Sequence, residues 1–187
     1  TTGAILSQVN WTKGGRGADG ATQRAGVERP AAAPLSEAAP NSYLVYALPV
    51  DSPHDVGRTL VTDPANPTAS PFGWHDVDGV PGGEYTTTRG NNAFAYADLA
   101  SPDGFTAGDV TAEGGASLVF SYTINMAQAP STYAEASVTN LFFVTNQIHD
   151  ILYHYGFDEA SGNFQQNNYG RGGQGSDYVL AEAQDYS

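Results

Sequence analysis

The spacing of apolar residues changes once along this chain, and the change divides it into two parts. From residue 42 to about 124 the apolar residues come in short runs of β-branched and aromatic types, broken by Pro, Gly, Asn and Asp. Such a pattern predicts strands joined by turns. Residues 43–48 read as a strand ended by Pro49, and residues 59–61 as another ended by Asp63-Pro64. Residues 84–88 read as a β-former run followed by a turn at 89–92, and residues 117–124 as the strongest strand of the chain.

Past residue 130 the period becomes helical. Val138, Leu141, Phe142, Ile148, Leu152 and Tyr155 fall at spacings dominated by three and four, which predicts a helix over about residues 132–155 with these side chains as its buried stripe. Phe143, Val144 and Ile151 widen the stripe over most of the circumference. At 1.5 Å per residue the helix is about 35 Å long. Thr132 and Glu135 have capping-box spacing at its start, and Gly156 is a natural stop. The narrow polar side carries Asn146, Asp150 and His154 at i, i+4, i+8, so Asp150 and His154 are expected to share a hydrogen bond. A satisfied polar seam outweighs a metal or substrate contact for these three. So wide an apolar surface needs more than one contact, which predicts a further packing partner.

Residues 13–41 break both patterns. A Gly-rich run at 14–20 is flexible, and Pro/Ala-rich runs at 29–34 and 39–40 are stiffer. Lys13, Arg16, Arg24 and Arg29 make the stretch a candidate for proteolytic nicking. Residues 1–41 are therefore read as an N-terminal extension with a linker, and residues 42–187 as the folded domain. The fold class expected is α+β, β-rich with one long helix.

Composition removes several functions. Seven Lys and Arg against 20 Asp and Glu give a net charge of −13, the wrong sign for nucleic acid or an anionic membrane surface. The absence of cysteine excludes disulfides and thiolate metal sites. No run reaches the length of a membrane span. The first residues, starting at Thr1, are not a signal peptide, and Asn10-Trp11-Thr12 fits a glycosylation sequon.

Three local motifs carry little chemistry. Gly170-x-Gly172-x-x-Gly175 satisfies a dinucleotide fingerprint, but a polar loop precedes it and a strand pattern at 177–181 follows. The fingerprint needs a strand before and a helix after, so this is a connection. Asp76 and Asp78 beside His75 read as turn chemistry ahead of a calcium site, and Trp74 as a core aromatic. His149 and His154, about 140° apart around a helix, cannot form the zinc pair of a His-Glu-x-x-His motif.

Several blocks, in order, carry a resemblance: 72–76 (Phe-Gly-Trp-His-Asp), 85–92, 139–142, 149–159, 170–173 and 181–185 (Ala-Glu-Ala-Gln-Asp). Over residues 42–187 the chain resembles the N-terminal half of mature fungalysin-type zinc metalloendopeptidases, relatives of thermolysin. The resemblance implies the β-rich N-terminal lobe of a thermolysin-like, secreted, extracellular enzyme that hydrolyses internal peptide bonds of proteins. It implies zinc held by two histidines of His-Glu-x-x-His and a downstream Glu, none of them within residues 1–187. The partner implied is the C-terminal catalytic half of the same peptidase, as a missing or separate chain, together with a protein or peptide substrate. No catalytic residue carries over. Ala183, Gln184 and Asp185 are the nearest approach to the substrate edge and are the candidate substrate-binding residues. Calcium is compatible with an extracellular peptidase lacking disulfides, with no ligand assigned. The rival expectation is a non-catalytic module binding peptide or polysaccharide, or an inactive homologue.

Overall fold

A computed structural model describes residues 41–50, 53, 54 and 56–185. The extension up to residue 40, with its sequon and its basic residues, lies outside these residues. All described residues belong to the second of two compact units, 32–187.

Five strands and one long helix build the unit in the order β1 (Ser42–Val45), β2 (Thr59–Thr62), β3 (Ala93–Ala97), β4 (Val119–Phe120), α1 (Ala134–His154) and β5 (Val179–Ala183). Strand β1 lies between β2, antiparallel to it, and β4, parallel to it. Strands β3 and β5 form a separate parallel pair, with Ala95 opposite Ala181. This is the α+β, β-rich architecture with one long helix that the pattern predicts.

Helix α1 packs on β1, β3 and β5 and joins the two sheets into one core. Alternation along β1 sends Tyr43 and Val45 inward. The Tyr43 ring stacks on Phe120 at 5.2 Å and lies 5.5 Å from Trp74 and 5.9 Å from Phe143. Strand β3 alternates small and aromatic residues. Ala93, Ala95 and Ala97 enter the core with α1, while Phe94 and Tyr96 meet Phe105 on the other face. Small side chains at β3, and Ala134 on α1, let the helix approach closely.

Four expectations are corrected here. Of the 117–124 run only Val119–Phe120 is strand, because Leu118 (φ 50) ends a turn closed by Leu118 N–H to Gly115 O and Val119 N–H to Gly114 O. The 84–88 run makes an isolated bridge at Thr87–Glu113 and no strand. The capping box does not form: Pro130–Tyr133 is a 3-10 turn, Thr132 Oγ1 donates to Ala129 O, and the helix starts at Ala134 without a side-chain cap. The helix ends as expected, with Gly156 (φ 94) and Phe157 N–H on Leu152 O.

The last correction concerns the helix faces. Val138 and Phe142 are buried as predicted, but Ile148, Ile151, Leu152 and Tyr155 are 47%, 44%, 42% and 85% exposed. The buried face of that half is polar instead: Asn146, His149, Asp150 and Tyr153. His154 is exposed and takes no part in the seam, and Asp150 pairs with His149.

Candidate functional site

The chemistry-bearing side chains fall into three places: a buried polar seam along α1, the parallel pair β3–β5, and two groups of carboxylates.

The seam is centred on Asp150, which accepts from four donors. Oδ1 takes Ser70 Oγ (2.7 Å) and His149 Nδ1 (3.0 Å), and Oδ2 takes Trp74 Nε1 and Asn66 N (both 2.9 Å). Asn92 extends the network by donating to Ser70 Oγ and Asn146 Oδ1, both at 3.1 Å, and by accepting from Gln165 Nε2 at 3.4 Å. A carboxylate taken from water is tolerated when its lone pairs are filled in this way. The seam also holds backbone. Gln166 N–H reaches Asn91 O, Asn167 N–H reaches Asn91 Oδ1, and Val179 N–H reaches Asn92 O. It therefore positions the connection leading into β5. Its role is the structural one expected of Asn146 and Asp150, and Trp74 is the core aromatic expected. Missing from the sequence reading were the Ser70, Asn92 and Gln165 partners, which come from distant loops.

Both buried histidines are committed. His75 Nδ1 donates to Arg89 O (3.0 Å) and its Nε2 accepts from Tyr43 Oη (2.8 Å). Burial lowers its pKa to about 4, so it stays neutral at ordinary pH, and burial likewise raises Tyr43 well above the ordinary phenol value. His149 Nδ1 donates to Asp150, and its Nε2 faces the Asn163 amide at 3.3 Å. All four histidines of the chain precede Asp or Tyr, so no His-Glu-x-x-His is present. Among the described residues, the groups of three or more candidate metal ligands contain carboxylates alone. Zinc sites are built on His and Cys with at most a carboxylate added, so these residues do not fit a zinc centre.

Strand β5 pairs, among the described residues, with β3 alone. Leu180 and Glu182 point outward from it, Leu180 being 60% exposed. Ala183 closes the strand, its carbonyl accepting from Asp98 N–H. Gln184 is in the left-handed region (φ 52), and its amide donates to Pro130 O and Ser137 Oγ, both at 2.9 Å. That ties the end of β5 to the start of α1. Asp185 is exposed and belongs to one acidic group with Asp98, Asp103 and Glu182. The second acidic group is Asp76, Asp78 and Glu84. Asp76 is fully buried, which raises its pKa to about 6, against the hydrogen bonds from Gly79 N–H and Tyr169 Oη. Asp78 accepts from Val80 N–H, the turn chemistry expected of Asp76 and Asp78, and Glu84 accepts from Val77 N–H across the loop.

Comparison with known proteins matches the chain to the family model of Fungalysin metallopeptidase (M36) over residues 42–187. It is 43% identical over 148 residues to the extracellular metalloproteinase MEP of Fusarium vanettenii, and 41% over 146 residues to a probable extracellular metalloproteinase 5 of Trichophyton verrucosum. It is 40% identical over 147 residues to the extracellular metalloproteinase mep of Aspergillus flavus. Each alignment covers 78% of this chain and 22% of the relative, so the chain spans under a quarter of the length of the relatives it matches.

Proposed function

The chain belongs to the fungalysin metallopeptidase family, and from that premise we propose that it is the N-terminal portion of a secreted zinc metalloendopeptidase acting on internal peptide bonds of extracellular proteins. The relatives' names, extracellular metalloproteinases, support secretion and proteolysis and disfavour a non-catalytic module.

Zinc, which supplies an activated water in such enzymes, has no ligand set among the described residues, and its ligands are proposed to lie elsewhere in the peptidase. The part of this lobe is to bind and orient. In our reading the outward edge of β5 receives an extended peptide by strand addition, in which main-chain hydrogen bonds hold the substrate whatever its sequence. Ala183, Gln184 and Asp185 are proposed to lie beside the bound peptide. The Ala183 carbonyl is taken by Asp98 N–H, so the main-chain groups offered to the substrate are those of Leu180 and Glu182, while Gln184 fixes the strand end through its two bonds to the α1 entry.

The observation that carries the reading is the inverted C-terminal half of α1. An apolar stripe of Ile148, Ile151, Leu152 and Tyr155 faces outward while its polar seam is buried. Exposed contiguous apolar surface of this kind marks a place where more protein packs, and the catalytic half of the same peptidase is the proposed occupant. The test is digestion of an unstructured protein by the purified complete peptidase, with fragments mapped by mass spectrometry. Internal cleavages, abolished by a zinc chelator and restored by zinc, are expected. Exclusively terminal cleavage, or activity indifferent to chelation, would overturn the proposal.

A further inference from the structure

Strands β3 and β5 end side by side, and the residues just past them bring four carboxylates together. Oxygens of Asp98, Asp103, Glu182 and Asp185 lie within 4.8 Å of one another. Acidic residues meet on many surfaces, but this group has a buried member. Asp98 is fully buried; its Oδ2 accepts from Gly104 N–H at 3.0 Å, while Oδ1 is buried with no hydrogen-bond partner. Among the described residues the ion pairs are Arg171–Glu159 and His149–Asp150, so no basic side chain of the described residues pairs with the four. A buried carboxylate that keeps one oxygen without a donor and stands among three further carboxylates is an unfavourable arrangement unless something positive joins it.

From this we propose a calcium site formed by Asp98, Asp103, Glu182 and Asp185. The donors are all hard oxygens, the choice of calcium or magnesium rather than zinc. Oxygens sharing one calcium ion at 2.3–2.6 Å are at most about 5 Å apart, which the group satisfies. Magnesium takes about one or two carboxylates and keeps its waters, so four carboxylates on two segments favour calcium. Glu182 Oε1 also accepts a short bond from Tyr96 Oη, which holds one ligand in place and leaves the other oxygen for the ion. The ion would close the gap between the loop after β3 and the end of β5, beside the bond from Asp98 N–H to Ala183 O. The site shares Asp185 with the proposed substrate edge, but it rests on the carboxylate geometry and holds whether or not the proteolytic reading does.

The experiment is equilibrium dialysis of the complete, zinc-loaded polypeptide against calcium, with magnesium in excess. It is run on the parent, on the double variant Asp103→Asn/Asp185→Asn, and on Asp76→Asn/Asp78→Asn/Glu84→Gln. Asp103 and Asp185 are exposed, so their replacement leaves the fold intact, which circular dichroism checks. The expected result is that the double variant binds one calcium fewer than the parent, while the triple variant keeps that ion. Terbium offers a second readout, because Tyr96 beside Glu182 sensitises its emission. That signal is expected to fall at least tenfold in the double variant and to be displaced by calcium in the parent. Equal calcium stoichiometry in parent and double variant, or no calcium bound by the parent, would overturn the site.

Discussion

At the scale of residues, the structure is organised by polar groups that burial has made inflexible. Asp150 is buried and has four donors. Asp150→Asn replaces an acceptor by an amide that must point a donor at other donors. A loss of about 2–4 kcal/mol in unfolding free energy is expected by urea titration, read through tryptophan fluorescence. A loss under about 0.5 kcal/mol, the range of an ordinary surface change, would contradict the buried network.

His75 and Asp76 are neighbours with opposite pH signatures. The His75 pKa is depressed to about 4, so its contribution is fully present above the unfolded value of 6.5 and is lost as pH falls toward 4. The Asp76 pKa is raised to about 6, so its contribution is fully present below the unfolded value of 3.8 and is lost as pH rises through 6. Between pH 4 and 6 the two trends oppose each other. Asp76→Asn removes one of them, and the variant is expected to gain stability with rising pH more steeply than the parent over that window. Calcium-free denaturation curves at pH 4, 5 and 6 check this, and an unchanged slope would contradict it.

At the scale of elements, the sequence pattern was legible where local preference and tertiary demand agree. The stretch that becomes α1, its stop at Gly156, and strands β1, β2 and β5 follow from periodicity and turn residues. Strand β3 does not, because alanine is a poor strand former on its own. Ala93, Ala95 and Ala97 are strand because the sheet needs small side chains beneath α1. The Thr132–Glu135 spacing was a real motif that did not form, since the 3-10 turn from Pro130 sets the approach to the helix.

Periodicity also finds a stripe without saying which stripe is inside, and the C-terminal half of α1 buries its polar one. That half yields a prediction: if the catalytic half covers the stripe as proposed, Ile151→Lys/Leu152→Lys should cost the complete peptidase about 2–4 kcal/mol. A cost near zero by thermal unfolding would leave the stripe solvent-facing. A further element-level constraint is Gly90, where an added Cβ would stand 1.7 Å from Trp74 O. Gly90→Ala is expected to yield little soluble protein, whereas Gly57→Ala, with nothing within 4 Å, is expected to express normally.

At the scale of the whole molecule, the candidate substrate edge was only partly legible. The 181–185 block drew attention to Ala183, Gln184 and Asp185 through resemblance, and the structure places them at the end of β5. No spacing rule could reveal that Asp185 meets Asp98 and Asp103, because parallel pairing of β3 with β5 joins residues more than 80 positions apart. The acidic balance of −13 belongs to this scale too. It suits an extracellular protein, and four of its carboxylates gather where β3 and β5 end.

The central claim, that this lobe works as one part of a larger zinc endopeptidase, is tested most directly on native secreted material. Zinc is determined on the intact sample, and polypeptide masses are then measured on the same sample under denaturing conditions. The account predicts about one zinc per complex, and polypeptide beyond the 19.6 kDa of this chain, whether continuous with it or separate. A single species at 19.6 kDa without zinc would contradict it and leave a lobe that binds without cutting.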